Sequence, residues 1–555
     1  MIKYQKGYFQ LSRWILLLGM ALPQLLLAQD VTAAHGMVAS AHPLASQAGV
    51  EILQQGGNAV DAAVATAFAL GVVEPNASGL GGGGFLLIQM KGEKPVTINY
   101  REMAAQSANA DLYYRTVKSF DSLTRSGAYS IGVPGVPAGL ALALEKYGTL
   151  SLSQVIAAAA RFARQGFEIS ENLAAMIFQN YDLIQKYPAT ADIFLVDDLP
   201  PSAGSILTNP NLAVSLELLA RNGPQVFYQG ELGKNIIEKV KAYGGLLSRE
   251  DLKQYQATLT KPVQGSYRGY TIYSSAPPAG GGTHLIELLN ILECFELSQY
   301  QHNSATYLHI FAEAMKMVFA DKSENMADPA FYRVPVEELI SKEHAKNLAS
   351  RIDPEKATYN YKAPRWVVRK SGHTTHLSVI DEQRNMVALT QSINSWFGSG
   401  ILDENTGILL NNHMADFENE PGKPNSLEPG KRPVSSIAPT LLLKNGKPFL
   451  SIGTPGGSRI ISALAQIIVN MVDFNMGIDQ AIEAPRIHAL GQALYLEKRI
   501  GDEVQMELQK KGHQLNIKND FDNYFGGAQG IVIDSSGTVL RGGADSRRDG
   551  FVIGY

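Results

Sequence analysis

Residues 372–376, Gly-His-Thr-Thr-His, place two hydroxyls and two imidazoles behind a flexible approach and directly ahead of a run with strand character. A threonine hydroxyl is a weak nucleophile until a neighbouring base takes its proton, and one solution uses the residue's own α-amino group. That solution needs the threonine at a chain terminus, so an internal Thr374 would first have to be released by cleavage of the peptide bond after His373. A Thr-Thr pair at a strand start is otherwise an ordinary β-former. His373 and His376, three residues apart on a strand, point to opposite faces, so no shared metal is expected and each reads as a surface or hydrogen-bonded imidazole. The G-x-S-x-G, S-x-x-K, H-E-x-x-H and P-loop signatures are missing, while a glycosidase-type carboxylate pair, being set in space, stays open. Gly79, Gly81 and Gly84 satisfy G-x-G-x-x-G, but in the order helix, glycines, strand. A dinucleotide fingerprint requires a strand first, so these glycines are expected to allow close backbone approach at the start of a core strand.

The elements that must position Thr374 can be read around it. Residues 375–381 and 386–392 alternate in polarity about a polar turn and predict a β-hairpin; residues 439–443 and 448–452 repeat the arrangement. A helix is predicted over 45–54 and another over the Ala/Val-rich run 59–73, capped by Asn58. A strand at 85–88, a helix at 459–474 after Gly456-Gly457-Ser458, and a strand at 530–534 follow from the same signals. The middle of the chain, about 150–369, reads as mostly helical. It includes a strongly amphipathic helix at 304–321, with Met315 and Met317 as packing residues, and a Pro/Gly-rich loop at 277–282 that either lines a cleft or turns the chain. Strands interleaved with long helices, without regular βαβ alternation or internal repeats, imply a layered α/β architecture with helices outside stacked sheets.

Composition narrows the function classes. The 555 residues carry 48 basic and 52 acidic side chains, a formal charge of −4, which argues against a nucleic-acid or polybasic membrane partner. The single cysteine, Cys294, excludes an intrachain disulfide and any multi-thiolate metal site. Lys3, Lys6 and Arg13 precede a short apolar run at 14–27, broken at Pro23 and ending at Ala28, which predicts a secretory signal peptide over 1–28. An exported chain with no stable membrane span is expected.

Beyond these readings, the sequence resembles the bacterial γ-glutamyltransferase (glutathione hydrolase) family of N-terminal nucleophile hydrolases along nearly the whole mature chain. The motifs that carry the resemblance are Gly-Asn-Ala-Val-Asp-Ala-Ala at 57–63, Leu-Gly-Gly-Gly-Gly-Phe at 80–85, Tyr-Arg-Glu at 100–102 and Thr-Thr-His at 374–376. They continue with Gly-Ile-Leu-Leu-Asn-Asn at 407–412, Lys-Arg-Pro-Val-Ser-Ser at 431–436 and Pro-Gly-Gly-Ser-Arg at 455–459.

The resemblance implies an αββα sandwich of two mainly antiparallel sheets, and a precursor cut between His373 and Thr374 into a large subunit, 29–373, and a small subunit, 374–555, that remain together as a heterodimer. It implies that Thr374 carries the γ-glutamyl group as an ester and that the Ser392 hydroxyl, where the family usually has threonine, orients it. Gly456 and Gly457 supply the oxyanion hole. Arg101, Ser435 and Ser436 hold the substrate α-carboxylate, and Asp416, Asn394 and His413 lie at its α-ammonium. The implied partners are a small γ-glutamyl compound and an amino-acid or peptide acceptor, with no cofactor, no metal and no nucleic acid, in the bacterial periplasm. Two departures bear on specificity: His413 and Ala415 replace residues that the family offers to the ammonium, and the stretch 417–431 is too short for the lid of some relatives. They keep open a glutaryl-type, β-lactam side-chain acylase or another amidase on the same fold. A secreted binding protein that has lost catalysis is the remaining alternative, which intact Thr374, Gly456 and Gly457 oppose.

Overall fold

Helix Ala59–Val73 is apolar on every side, and its alanines let it lie close against the sheet that carries Thr374. In the computed structural model, which describes residues 30–115, 117–359 and 373–555, Asn58 caps this helix in a reciprocal box with Asp61. The Ala59 N–H donates to Asp381 Oδ2 at 2.9 Å, tying the helix start to the turn of the hairpin that carries Thr374. The expected signal peptide at 1–28 and the approach at 371–372 lie outside the described residues.

Two seven-stranded antiparallel sheets are stacked. The first has the order Phe551–Gly554, Met37–Ser40, His373–Ile380, Met386–Asn394, Gly83–Gln89, Val96–Tyr100, Thr258–Thr260. The second runs Val31–Ala33, Leu540–Ala544, Gln529–Ile533, Lys447–Gly453, Thr440–Lys444, Tyr270–Ser274, Val263–Tyr267. Along the hairpin, side chains alternate between two cores: Leu377, Val379, Val387 and Leu389 join the helices, whereas Ile380, Met386 and Ala388 meet Leu441, Leu443 and Ile531 between the sheets. Helices Pro43–Gln54, Ala59–Val73 and Val136–Tyr147 cover the first sheet, with Leu152–Gln165 packed on Ala59–Val73. Helices Gly280–Leu292 and Arg459–Val472 cover the second, with Ala305–Asn325 packed on Gly280–Leu292, completing four layers, αββα.

The quadruple glycine does what close approach demands. A Cβ on Gly82 would sit 2.2 Å from the Ser392 carbonyl oxygen, and one on Gly84 would sit 2.4 Å from that of Thr390. Two expectations change. The helix Ala305–Asn325 is not strongly amphipathic but buried on nearly every side from Tyr307 to Phe319, because helices and strands enclose it. The middle segment is not simply helical: Thr258–Thr260 closes the edge of one sheet, and a hairpin turning at Arg268-Gly269 closes the other. Both turn residues have positive φ, 47° and 83°, the backbone of a tight hairpin turn.

Candidate active site

Thr374 sits at an irregularity in the hairpin. His373 pairs with Asn394 and Thr375 with Gln391, so Thr374 alone faces the two residues Ser392 and Ile393. Such a bulge re-aims a side chain out of the pleat. The Thr374 hydroxyl donates to Ser392 Oγ at 3.4 Å, and Ser392 Oγ donates to the His373 carbonyl oxygen at 2.6 Å. Ser392 Oγ also accepts the Asn394 N–H at 2.7 Å. A serine hydroxyl has one proton and two lone pairs, so all of its capacity is used, and the direction of each bond is fixed. Behind this group, Arg548 Nη1 donates to the Thr374 carbonyl at 2.9 Å while its guanidinium lies over Trp396. The His373 ring stacks on the same Trp396, at 3.9 Å between centroids. Burial and the charges of Arg548 and Arg459 hold the His373 imidazole well below its usual range, so it is neutral beside the Thr374 bond. His376 is not at the surface: it is fully buried, bonded to Thr390 and Ser378, and lowered by burial to about 3.

A cavity of about 150 Å³ opens in front of Thr374, room for a small acyl group. Its wall brings together Thr374, Ser392, Asn394, His413, Asp416, Ser435, Ser436 and Gly457. Arg101 and Gly456 stand behind that wall. The Arg101 guanidinium is fully buried and uses four of its five N–H groups: Nη2 pairs with Asp416 Oδ2 at 2.5 Å and donates to the Val434 carbonyl, Nη1 meets Glu102 Oε2 at 3.2 Å, and Nε donates to the Pro433 carbonyl. Asp416 Oδ1 in turn accepts from Asn394 Nδ2 at 3.2 Å. His413 Nδ1 lies 2.7 Å from Glu102 Oε1 without hydrogen-bond alignment. Ser435 is held by the 277–282 loop, its N–H donating to the Pro278 carbonyl and its carbonyl accepting the Gly280 N–H. The stretch 417–431 folds back on itself, and its Phe417, Glu418 and Asn425 form part of the cavity wall.

Gly456 and Gly457 have φ of 132° and 58°, and helix Arg459–Val472 begins two residues later. Neither glycine N–H donates to another group among the described residues. Two free donors at a helix start, with Gly457 on the cavity wall that also carries Thr374 and Gly456 next to it in the chain, are suited to a developing oxyanion. A re-aimed hydroxyl, a hydroxyl relay to its own preceding carbonyl and a nearby pair of open N–H groups together make a self-cleaving acyl-transfer centre chemically feasible.

The gamma-glutamyltranspeptidase family model matches residues 45–555. The chain belongs to that family. It is 40% identical over 543 residues to the glutathione hydrolase proenzyme of Escherichia coli (strain K12), covering 95% of this chain and 93% of that one. It is also 38% identical over 533 residues to the acylase ACY 1 proenzyme of Pseudomonas sp. (strain V22), 94% of each chain. Among solved structures, cephalosporin acylase from Bacillus halodurans superimposes with a TM-score of 0.87 at 31% identity, covering 100% of this chain and 99% of that one. The αββα sandwich is thus the N-terminal nucleophile hydrolase fold of the gamma-glutamyltranspeptidases and related acylases.

Sequence reasoning gave no role to several residues of this gamma-glutamyltranspeptidase site. Lys322 lines the cavity, and burial lowers its ammonium to about 8 despite the opposing pull of Asp416 and Glu418. A signal existed: Lys322 lies seven residues after Met315 and four after Val318, on the apolar side of its helix. Arg459, also on the wall, donates to the Tyr524 carbonyl at 2.9 Å and covers that ring; burial lowers it to about 10. Glu74, at the end of helix Ala59–Val73, lies 3.8 Å from Arg548 and is pushed up by burial to about 7. Neither Arg548 nor Glu74 had a local signature, since their partners are distant in sequence.

Proposed function

We propose that the protein is a self-processing γ-glutamyl acyltransferase and hydrolase. In processing, Thr374 Oγ attacks the His373 carbonyl carbon and gives its proton towards Ser392. The C–N bond to Thr374 breaks, the nitrogen takes up a proton, and the resulting ester is hydrolysed by water. The products are a chain ending at His373 and a chain beginning at Thr374, held together by the shared sheets. In turnover, the freed α-amino group takes the Thr374 proton while Oγ attacks the γ-glutamyl amide carbonyl. The oxyanion meets the Gly456 and Gly457 N–H groups, the amine departs with a proton, and water or an acceptor amine cleaves the ester. Asp416, with Asn394 and His413, receives the substrate ammonium; Arg101, Ser435 and Ser436 receive its carboxylate.

The observation that carries this reading is the single Ser392 hydroxyl that touches both Thr374 Oγ and the carbonyl of the bond to be cut. The signal-like start at 1–28 supports export, and we place the enzyme in the periplasm of a bacterium. Intact-mass measurement tests the reading: two chains, the smaller beginning at Thr374, are expected from the wild type, and one inactive chain from Thr374→Ala. Processing of that variant at the wild-type rate would overturn it. The similarity to acylases favours a second reading, release of glutaryl-type side chains. Comparison of γ-glutamyl-anilide with glutaryl-anilide turnover separates the two, and a preference for the glutaryl compound would replace the first reading with the second.

A further inference from the structure

Three helices of the second helical layer bring acids and imidazoles together outside the reaction centre. Glu287 comes from Gly280–Leu292, Asp321 from Ala305–Asn325 and His344 from Lys342–Ala349. Glu287 is fully buried, and its Oε1 has no hydrogen-bond partner. That orphaned oxygen lies 3.4 Å from His344 Nε2, which is 2.8 Å from Asp321 Oδ2. One ligand atom from each of the three residues falls within 4.8 Å of the others. We propose that Glu287, Asp321 and His344 bind one divalent transition-metal ion of the zinc type, with His284 orienting Glu287.

The geometry fits such an ion. Bonds of about 2.0–2.1 Å in a tetrahedral shell set neighbouring ligand atoms about 3.3 Å apart, so the observed 2.8 and 3.4 Å need shifts of only a few tenths. His284 Nδ1 lies 2.5 Å from Glu287 Oε2, the outer hydrogen bond that commonly fixes a carboxylate ligand. Three protein ligands leave a fourth position for water, and the Asp321 and His344 side chains, 27% and 25% exposed, give the ion a way in. The two carboxylates face two imidazoles. A mixed nitrogen and oxygen set suits zinc and its neighbours better than calcium or magnesium, which favour oxygen alone. The other such grouping among the described residues, His309, Glu313 and His513, differs. Lys316 already balances Glu313 at 2.7 Å, and the facing ring nitrogens bond each other at 2.8 Å.

The test is calorimetric titration of chelator-stripped full-length protein with Zn²⁺, with Ca²⁺ and Mg²⁺ as controls, alongside thermal melting. The wild type is expected to take up one tight equivalent of Zn²⁺ and to melt higher with it. Glu287→Gln, which preserves shape and removes the buried charge, is expected to weaken binding at least tenfold and to abolish the melting shift. Asp321→Asn, at a partly exposed position, is expected to do the same and serves if the first variant does not fold. Absence of Zn²⁺ uptake by the wild type, equal uptake by wild type and variants, or binding of Ca²⁺ or Mg²⁺ alone would overturn the site and leave a carboxyl pair sharing a proton.

Discussion

Replacing Ser392 by alanine separates self-cleavage from mere folding of the hairpin. The hydroxyl makes three contacts: it accepts from Thr374 Oγ at 3.4 Å and from the Asn394 N–H at 2.7 Å, and donates to the His373 oxygen at 2.6 Å. On the proposed mechanism that last oxygen becomes negative as Thr374 attacks, and Ser392 is then its donor in the transition state. Loss of one such donor slows acyl transfer by about 10²–10³-fold, or roughly 2.7–4 kcal/mol. The Asn394 N–H, buried in the native state, also loses its acceptor, which costs about 1–3 kcal/mol of folding stability. A time course of precursor disappearance by denaturing electrophoresis and intact mass should therefore show Ser392→Ala processing at least a hundredfold slower than wild type, with a lower Tm. Ser392→Thr, which keeps the hydroxyl, should recover most of the rate. Processing of Ser392→Ala within tenfold of wild type, in protein that melts normally, would refute the relay.

Further expectations follow from the same geometry. Asp416→Ala removes a charge-assisted contact of roughly 1.5–3 kcal/mol and should raise KM for a γ-glutamyl anilide about ten- to hundredfold; an unchanged KM in steady-state assays would reject Asp416 as the ammonium partner. Gly456→Ala forces a side chain onto a φ of 132°, a strain of order 1–3 kcal/mol, and should depress kcat more than KM; equal kcat would dismiss the oxyanion assignment. Lys322 is depressed from 10.5 to about 8, so between these values the unfolded chain binds more protons than the native one. Its burdened charge destabilises the fold below pH 8, and the penalty fades as pH rises from about 8 to 10.5. Lys322→Met should accordingly melt above wild type at pH 7 and lose that advantage by pH 10.5; a pH-independent difference in Tm would contradict this.

What the sequence disclosed and what it hid divide along physical lines. The nucleophile hairpin, the Asn58-capped helix and the strand after the glycines were legible because each depends on local alternation, capping or turn chemistry. Thr374, Ser392 and Asp416 were found through family motifs, and they do share one cavity wall. The bonding of Arg101 was invisible, since its partners Asp416, Pro433 and Val434 come from more than three hundred residues away. The same holds for Arg548 at Thr374 and for the three-helix cluster around Glu287. The expected amphipathic character of Ala305–Asn325 failed because neighbours enclose the helix on sides that spacing alone assigns to solvent.

The pairing of the buried Arg101 with the half-buried Asp416 has a consequence for selectivity. Together the two side chains already imitate the head of an amino acid, one cation against one anion at 2.5 Å. On the proposed assignment, an incoming zwitterion inserts itself between them, and each side chain trades one opposite charge for another. A ligand with a carboxylate but no ammonium would engage Arg101 while taking that cation from Asp416, which keeps only the Asn394 amide. The pair thus acts as an internal competitor that only a doubly charged guest displaces without loss, so discrimination against glutaryl groups would come from what the ligand leaves behind.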